Sequence, residues 1–135
     1  MTIIAIDYGE KRVGAAIGNS ELKTAIPIQG MIRKKRGDDL EFISTLIEEY
    51  DPKLILIGHP LNMDGTDSFF SLKSEKFGKK IEKSFKIKVK MVDERLSSFE
   101  AEELLKDYSY GKKKKKKLID SMSAMIILNR YLGDI

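Results

Sequence analysis

Apolar residues at the start of the chain come in short runs separated by polar breaks. Ile3–Ile6 is one run and stops at Asp7; Val13–Ile17 is another, with the turn-like segment YGEKR between them. Two short apolar runs joined by a polar, glycine-containing loop predict a β-hairpin. Gly14 and the alanines after it predict a second strand packed closely against something else. A third strand is expected over Thr24–Ile32, where Pro27 marks an edge or a bulge because proline donates no ladder hydrogen bond.

The period then changes. In DDLEFISTLIEEYDP, Leu40, Ile43, Leu46, Ile47 and Tyr50 recur at helical spacing, with Asp38 or Asp39 placed to cap and Pro52 after the stop. KLILIG reads as a buried strand of the parallel-sheet type, and HPLNMDGT as a loop. A second helix is expected from about Ser68 to Ser84, with Phe70, Phe77 and Ile81 on one face and Thr66 or Asp67 as its cap. Phe69, Phe70, Phe77 and Phe85 read as core rather than as a platform for bases. KIKVKMVDE alternates, with Ile87, Val89 and Met91 on one side, as a half-buried strand does. Ser97–Glu100 has the form of a capping box opening a helix to about Tyr108, and Leu118–Leu132 is a strongly apolar last helix. Three strands, helix, strand, helix, strand, then helices predict an α/β layer fold with a mixed sheet.

Length and composition narrow the class. The 135 residues suit one domain, 1–135, with a sizeable core. No cysteine is present, which excludes disulfides, thiolate-bound zinc and a thiol nucleophile. No apolar run is long enough to span a bilayer, so a cytoplasmic protein without a membrane partner is expected. The charge is uneven. The 25 basic and 21 acidic residues become 19 and 21 without the lysine run Lys112–Lys117, and 15 and 21 when Arg33–Arg36 is removed as well. Basicity confined to two short segments of an otherwise acidic chain is the footprint of a phosphate-binding surface, although charge runs are also commonly just solvated loops.

Acids fall at three places where ligands gather in α/β folds. Asp7 ends the first strand, Asp93 and Glu94 end the last, and Asp120 opens the last helix after the lysines. Each has a plainer reading as a turn former, a surface ion pair or an N-cap. Carboxylates without histidine or cysteine partners suit the hard cations Mg²⁺ and Mn²⁺, which activate water and stabilise phosphoryl displacement. Strand parity makes it unfavourable for Asp93 and Glu94 to face one ion together.

DYGEKRVGAAI, GHPLNMDGT, VDERLSSFEAEELL and IDSMSAMIILNRYL are, in order and spacing, similar to the motifs of the YqgF/RuvX family of Holliday junction resolvase-like nucleases, within the RNase H-like superfamily. The resemblance covers nearly the whole chain. It implies an RNase H-like five-stranded mixed sheet flanked by helices. It also implies a nuclease site whose catalytic, Mg²⁺- or Mn²⁺-binding acids map to Asp7, Glu94 and Asp120. The implied activity is metal-dependent phosphodiester hydrolysis that processes the 5′ end of pre-16S rRNA. Cleavage of Holliday junctions in recombination is the alternative, and a non-catalytic nucleic-acid-binding module in ribosome assembly or transcription the second. The implied partners are pre-rRNA, then branched DNA, and ribosome-associated proteins; oligomeric state stays open. Two positions depart from the family pattern: His59 stands where a leucine is usual, and Gly18-Asn19 where Ser-Asp is frequent.

Candidate nucleic-acid contacts follow. Arg12 and Arg95 suit bidentate phosphate recognition, and Asn62 lies in the loop between strand and helix. Lys112, Lys113, Lys114, Lys115, Lys116 and Lys117 are expected to form a flexible cationic loop over the mouth of the site. His59, the only histidine, reads as incidental. An Asp-x-Gly hairpin also occurs in sugar-kinase and actin-like ATPases, but those close two such domains around ATP and this length supplies one.

Overall fold

The computed structural model describes residues 1–95, 101, 103–104, 106 and 111–133, with the side chains of 112–118 left aside. The strands are β1 Thr2–Tyr8, β2 Arg12–Asn19, β3 Thr24–Ile32, β4 Leu54–His59 and β5 Lys88–Asp93. Helix α1 is Asp38–Tyr50, α2 is Phe69–Phe85 and α3 is Lys112–Gly133. The five strands form one sheet in the order β3-β2-β1-β4-β5. β1, β2 and β3 meander antiparallel, while β4 pairs parallel to β1 and β5 parallel to β4. The sheet is therefore mixed and RNase H-like. Pro27 sits on the edge strand β3, and the β2–β3 register slips close by, between Val13 and Ala15.

Alternation along the central strands divides the core in two. Ile4, Ile6, Ile55 and Ile57 point to one face, where Ile43 and Leu46 of α1 and Phe77 and Ile81 of α2 cover them. Ile3, Ala5, Leu54 and Leu56 point to the other and pack on Ala124, Ile127, Leu128 and Leu132 of α3. Burial on both faces explains why β1 and β4 read as unbroken apolar runs rather than alternating ones. Each such fully buried Ile or Leu contributes roughly 1.5–3 kcal/mol relative to exposure. No described helix is long and apolar enough to cross a membrane.

Four local expectations change. α1 is preceded by Gly37, at φ 89°, while Asp38 accepts from the Lys34 and Lys35 amides and so closes the preceding turn. α2 is capped by Ser68, which exchanges hydrogen bonds with Ser71, rather than by Thr66 or Asp67. Phe77 is buried, but Phe69 and Phe70 are exposed, although Ser71 in the same first turn of α2 is buried. The last helix starts at Lys112, six residues before Leu118, so the lysine run is helical and not a loop. The stop signal upstream is Gly111: lysine is a good helix former, and nothing between it and the packed apolar segment breaks the helix. The capping box at 97–100 and most of its helix lie outside the described residues; Ala101, Glu103 and Leu104 are helical.

Candidate active site

Strand parity decides which side chains meet. Asp7 keeps the phase of Ile3 and Ala5, Gly58 that of Leu54 and Leu56, and Gly14 that of Ala16, so all three face α3. Val92 packs on that face too, and Glu94, two residues on, follows it. Two glycines then let the groups close up. A Cβ at Gly58 would overlap the Glu94 carboxyl, and one at Gly14 would overlap the backbone carbonyl of Asp120. The sheet thus offers two flat places, one filled by a buried carboxylate and the other by α3.

Asp7, Glu94 and Asp120 lie on this face, Asp7 against Glu94 and Asp120 near enough to feel the Asp7 charge, but their ligand atoms do not all come within 4.8 Å of one another. The Asp7 and Glu94 side chains are hydrogen bonded to each other, and Glu94 is only 6% exposed. Burial raises the Asp7 pKa, with the Glu94 hydrogen bond opposing. Asp120 is pushed up to about 6, first by burial and then by the charge of Asp7, against the pull of Arg12. Negative charge is concentrated here beyond what the neighbouring cation offsets. An all-oxygen set of this kind suits a hard divalent ion, and binding one would draw the three carboxylates closer than the structure holds them. Asp120 lies more than two turns into α3, so it is not an N-cap.

Asp93 takes the opposite phase and stays outside. Its carboxylate accepts from Arg95 Nε at 2.9 and 3.1 Å and lies 2.7 Å from Arg95 Nη2, and this bonding lowers its pKa. Arg95 also donates to the Met63 carbonyl at 3.0 Å, tying the β4–α2 loop to the end of β5. Asn62 sits inside the same loop, its amide donating to Thr66 Oγ1 and to the Asp67 carbonyl, both at 3.0 Å. The structure therefore places Arg95 and Asn62 as braces of the loop beside the acids.

Arg12 stands with the acids. Its Nε is 3.8 Å from Asp120 Oδ2. Both border a groove of about 500 Å³ lined also by Gln29, Gly30, Met31, Lys34 and Ser121. Lys34 belongs to the basic segment Arg33–Arg36, whereas Gln29 and Ser121 carry no signal in the sequence, since only the β2–β3 pairing and the path of α3 bring them to this wall. Arg33, counted with the basic quartet, has a different use. It donates to the Gly9 and Glu10 carbonyls at 3.0 and 3.3 Å, pairs with Asp39 at 3.4 Å and lies over the Tyr8 ring. It fastens the hairpin that carries Asp7.

His59 makes side-chain contacts of its own. It ends β4 in the phase opposite to Gly58, and its Nε2 lies 2.8 Å from Glu75 Oε1 and 3.7 Å from Asp67 Oδ1 on the α2 side of the sheet. No sequence pattern signals this trio.

Comparison with known proteins gives the chain a family. A protein of Buchnera aphidicola named "Putative pre-16S rRNA nuclease" is 43% identical over 132 residues, covering 97% of this chain and 96% of its own. One of the same name from Halothermothrix orenii is 41% identical, covering 98% and 95%. Among solved structures, a Fowlpox virus resolvase in complex with substrate Holliday junction DNA aligns with TM-score 0.62 at 17% identity, covering 99% of this chain and 98% of that one. Thermus thermophilus RuvC aligns with TM-score 0.59 at 12% identity, covering 99% and 95%. At such identities the likeness is one of fold. Residues 1–134 match the family described as "RuvX: Holliday junction resolvase", and with relatives this close along the whole chain, the protein belongs to the RuvX family.

Proposed function

We propose that this protein is a metal-dependent nuclease that hydrolyses phosphodiester bonds in pre-16S rRNA, at the 5′ end of the mature sequence. The observation that carries the reading is that Asp7, Glu94 and Asp120 lie on one face of the sheet beside Arg12 and an open groove. The name shared by the relatives supplies the RNA. Asp7, Glu94 and Asp120 would hold one or two Mg²⁺ or Mn²⁺ ions. When bound, such ions activate water and neutralise charge on a phosphoryl group in displacement.

The chain's own residues do the rest. Arg12 would grip a phosphate in the groove, and beside Asp120 it opposes the burial and Asp7 charge that raise the pKa of that carboxyl. Lys34, on the same wall, adds a second cation. The helical lysine segment 112–117 leads directly into Asp120 and gathers a polyanionic backbone without regard to sequence. Asn62 and Arg95 shape the loop that borders the substrate. A second substrate, the four-way DNA junction, is favoured by the family's description and is tested alongside.

The test is cleavage of labelled RNA spanning the 5′ end of 16S rRNA and of a four-way DNA junction, with Mn²⁺ or with EDTA. Wild type and Asp7→Asn are compared. RNA cleavage that needs the metal and is abolished in the variant is the expected result. Cleavage of the junction alone moves the role to recombination. Binding of both without cleavage of either leaves a binding module.

A further inference from the structure

The end of β4 carries two different ligand sets back to back. Gly58 faces α3 and receives the carboxyl of Glu94, whereas His59 faces α2 and meets Glu75 and Asp67. One donor atom from each of His59, Asp67 and Glu75 lies within 4.8 Å of the others. Bonds of about 2.0–2.2 Å to a four-coordinate ion bring ligand atoms to separations of about 3.3–3.6 Å. With Nε2 already 2.8 Å from Glu75 and 3.7 Å from Asp67, modest side-chain rotations reach that arrangement.

The three residues come from supports that are already fixed. His59 is the last residue of β4, which pairs with β5 along its whole length. Glu75 is on the second turn of α2, in line with Ser71, whose hydroxyl donates to Asp67 Oδ1 at 3.0 Å. Asp67 is held from behind as well, since its carbonyl accepts from Asn62. His59 is about four-fifths buried whereas Asp67 is half exposed, so the trio opens to solvent on one side, leaving room for a water as fourth ligand.

We propose that His59, Asp67 and Glu75 form a second divalent-metal site, of the zinc type, on the face of the sheet opposite the three candidate active-site carboxylates. The donor chemistry sets its selectivity. An imidazole nitrogen with two carboxylates favours Zn²⁺, Co²⁺ or Ni²⁺, whereas the all-oxygen set of Asp7, Glu94 and Asp120 favours Mg²⁺ or Mn²⁺. The two sites are joined through one peptide. The His59 carbonyl accepts the Glu94 amide at 3.2 Å and the Leu61 amide at 2.8 Å. An ion on His59 thereby clamps the end of β4, the loop 60–67 and α2 into one body, and steadies the backbone that presents Glu94. This site stands or falls independently of the nuclease reading.

The test is equilibrium dialysis of the full chain against Zn²⁺ in a large excess of Mg²⁺, followed by urea unfolding with and without Zn²⁺. Wild type is compared with His59→Leu, Glu75→Gln and Asp7→Asn. Wild type and Asp7→Asn are expected to retain one zinc ion, which raises their unfolding midpoints. His59→Leu and Glu75→Gln should each lose zinc affinity by more than about tenfold, beyond the smallest effects of removing an outer-shell partner. Replacing zinc by Co²⁺ should give visible absorption in wild type that His59→Leu lacks. Zinc binding that survives in His59→Leu, or that disappears in Asp7→Asn instead, overturns the proposal. So does failure of wild type to hold zinc against Mg²⁺, which leaves the trio as an ordinary ion-pair cluster.

Discussion

The Glu94 carboxyl lies directly on Gly58, in the space that any side chain at that position would occupy. Gly58 is on β4, the strand between β1 and β5, and pairs with Val92. Its absent side chain is what admits a buried carboxylate there. The Ile127 side chain closes the same space from α3.

Gly58→Ala should therefore act on chemistry before stability. The added methyl displaces Glu94 from Asp7, and a misplacement of about 1 Å costs about 10²-fold in rate. Overpacking should cost about 1–3 kcal/mol of stability. Cleavage rate and urea unfolding, measured together, check this. Near wild-type cleavage would mean that Glu94 is not needed where it lies.

Asp120→Asn should stabilise the metal-free protein near neutral pH. The Asp120 pKa is raised from 3.8 to about 6 in the fold. Its contribution to stability is thus fully present below the unfolded value and is lost as pH rises through about 6. After allowance for solvent screening of a half-buried group, the loss is on the order of 1–2 kcal/mol. Unfolding in EDTA at about pH 5 and about pH 7.5 should show wild type losing more stability than the variant across this window. Mn²⁺ should then restore wild type and do little for Asp120→Asn. Parallel pH curves would place Asp120 outside the charged cluster.

Much of this is legible in the chain because the sheet is built on alternation. β3 runs over the same residues, Thr24–Ile32, that the pattern marks, and the phases of Asp7 and Glu94 follow from counting by two. The lysine run misleads because charge suggests a solvated loop, whereas helix extent is decided by the anchored segment from Ile119 onward and the breaker at Gly111. Phe70 shares helical spacing with Phe77 but not its burial, since spacing fixes a face and not what packs against each position on it. His59–Glu75 and Arg33–Asp39 leave no trace, because such pairs depend on the register of elements that the local pattern does not contain.

Tyr8→Phe tests the support beneath Asp7. The Tyr8 ring stacks on Phe77 with centroids 4.0 Å apart, and its hydroxyl donates to Asp39 at 3.0 Å. Removing the hydroxyl keeps the stack and should cost about 0.5–1.5 kcal/mol at neutral pH. The Tyr8 pKa is pushed up to about 12, chiefly by burial and then by Asp39. Wild type should accordingly lose stability as pH rises from about 10 through about 12, and Tyr8→Phe should lose less. Unfolding midpoints across the alkaline range decide it. Equal alkaline losses would mean that the hydroxyl is not held by Asp39 in solution.

The lysine segment offers the sharpest separation of charge from shape. Because Lys112–Lys117 is helical, changing all six residues to alanine keeps a good helix former at each position while removing the charge. Serine would confound the two, since it is a poorer helix former. If the segment grips backbone phosphates, the alanine variant should bind RNA more weakly, with unchanged circular dichroism. The slope of log affinity against log salt should flatten by roughly 0.7–0.9 for each phosphate no longer neutralised. Asp7→Asn should move cleavage and leave that slope alone, since a carboxylate contributes no phosphate neutralisation. Fluorescence anisotropy titrations over a range of salt concentrations read both variants. An alanine variant with the wild-type slope would show that the lysines are a solvated helix end, and would shift phosphate binding to Arg12 and Lys34 in the groove.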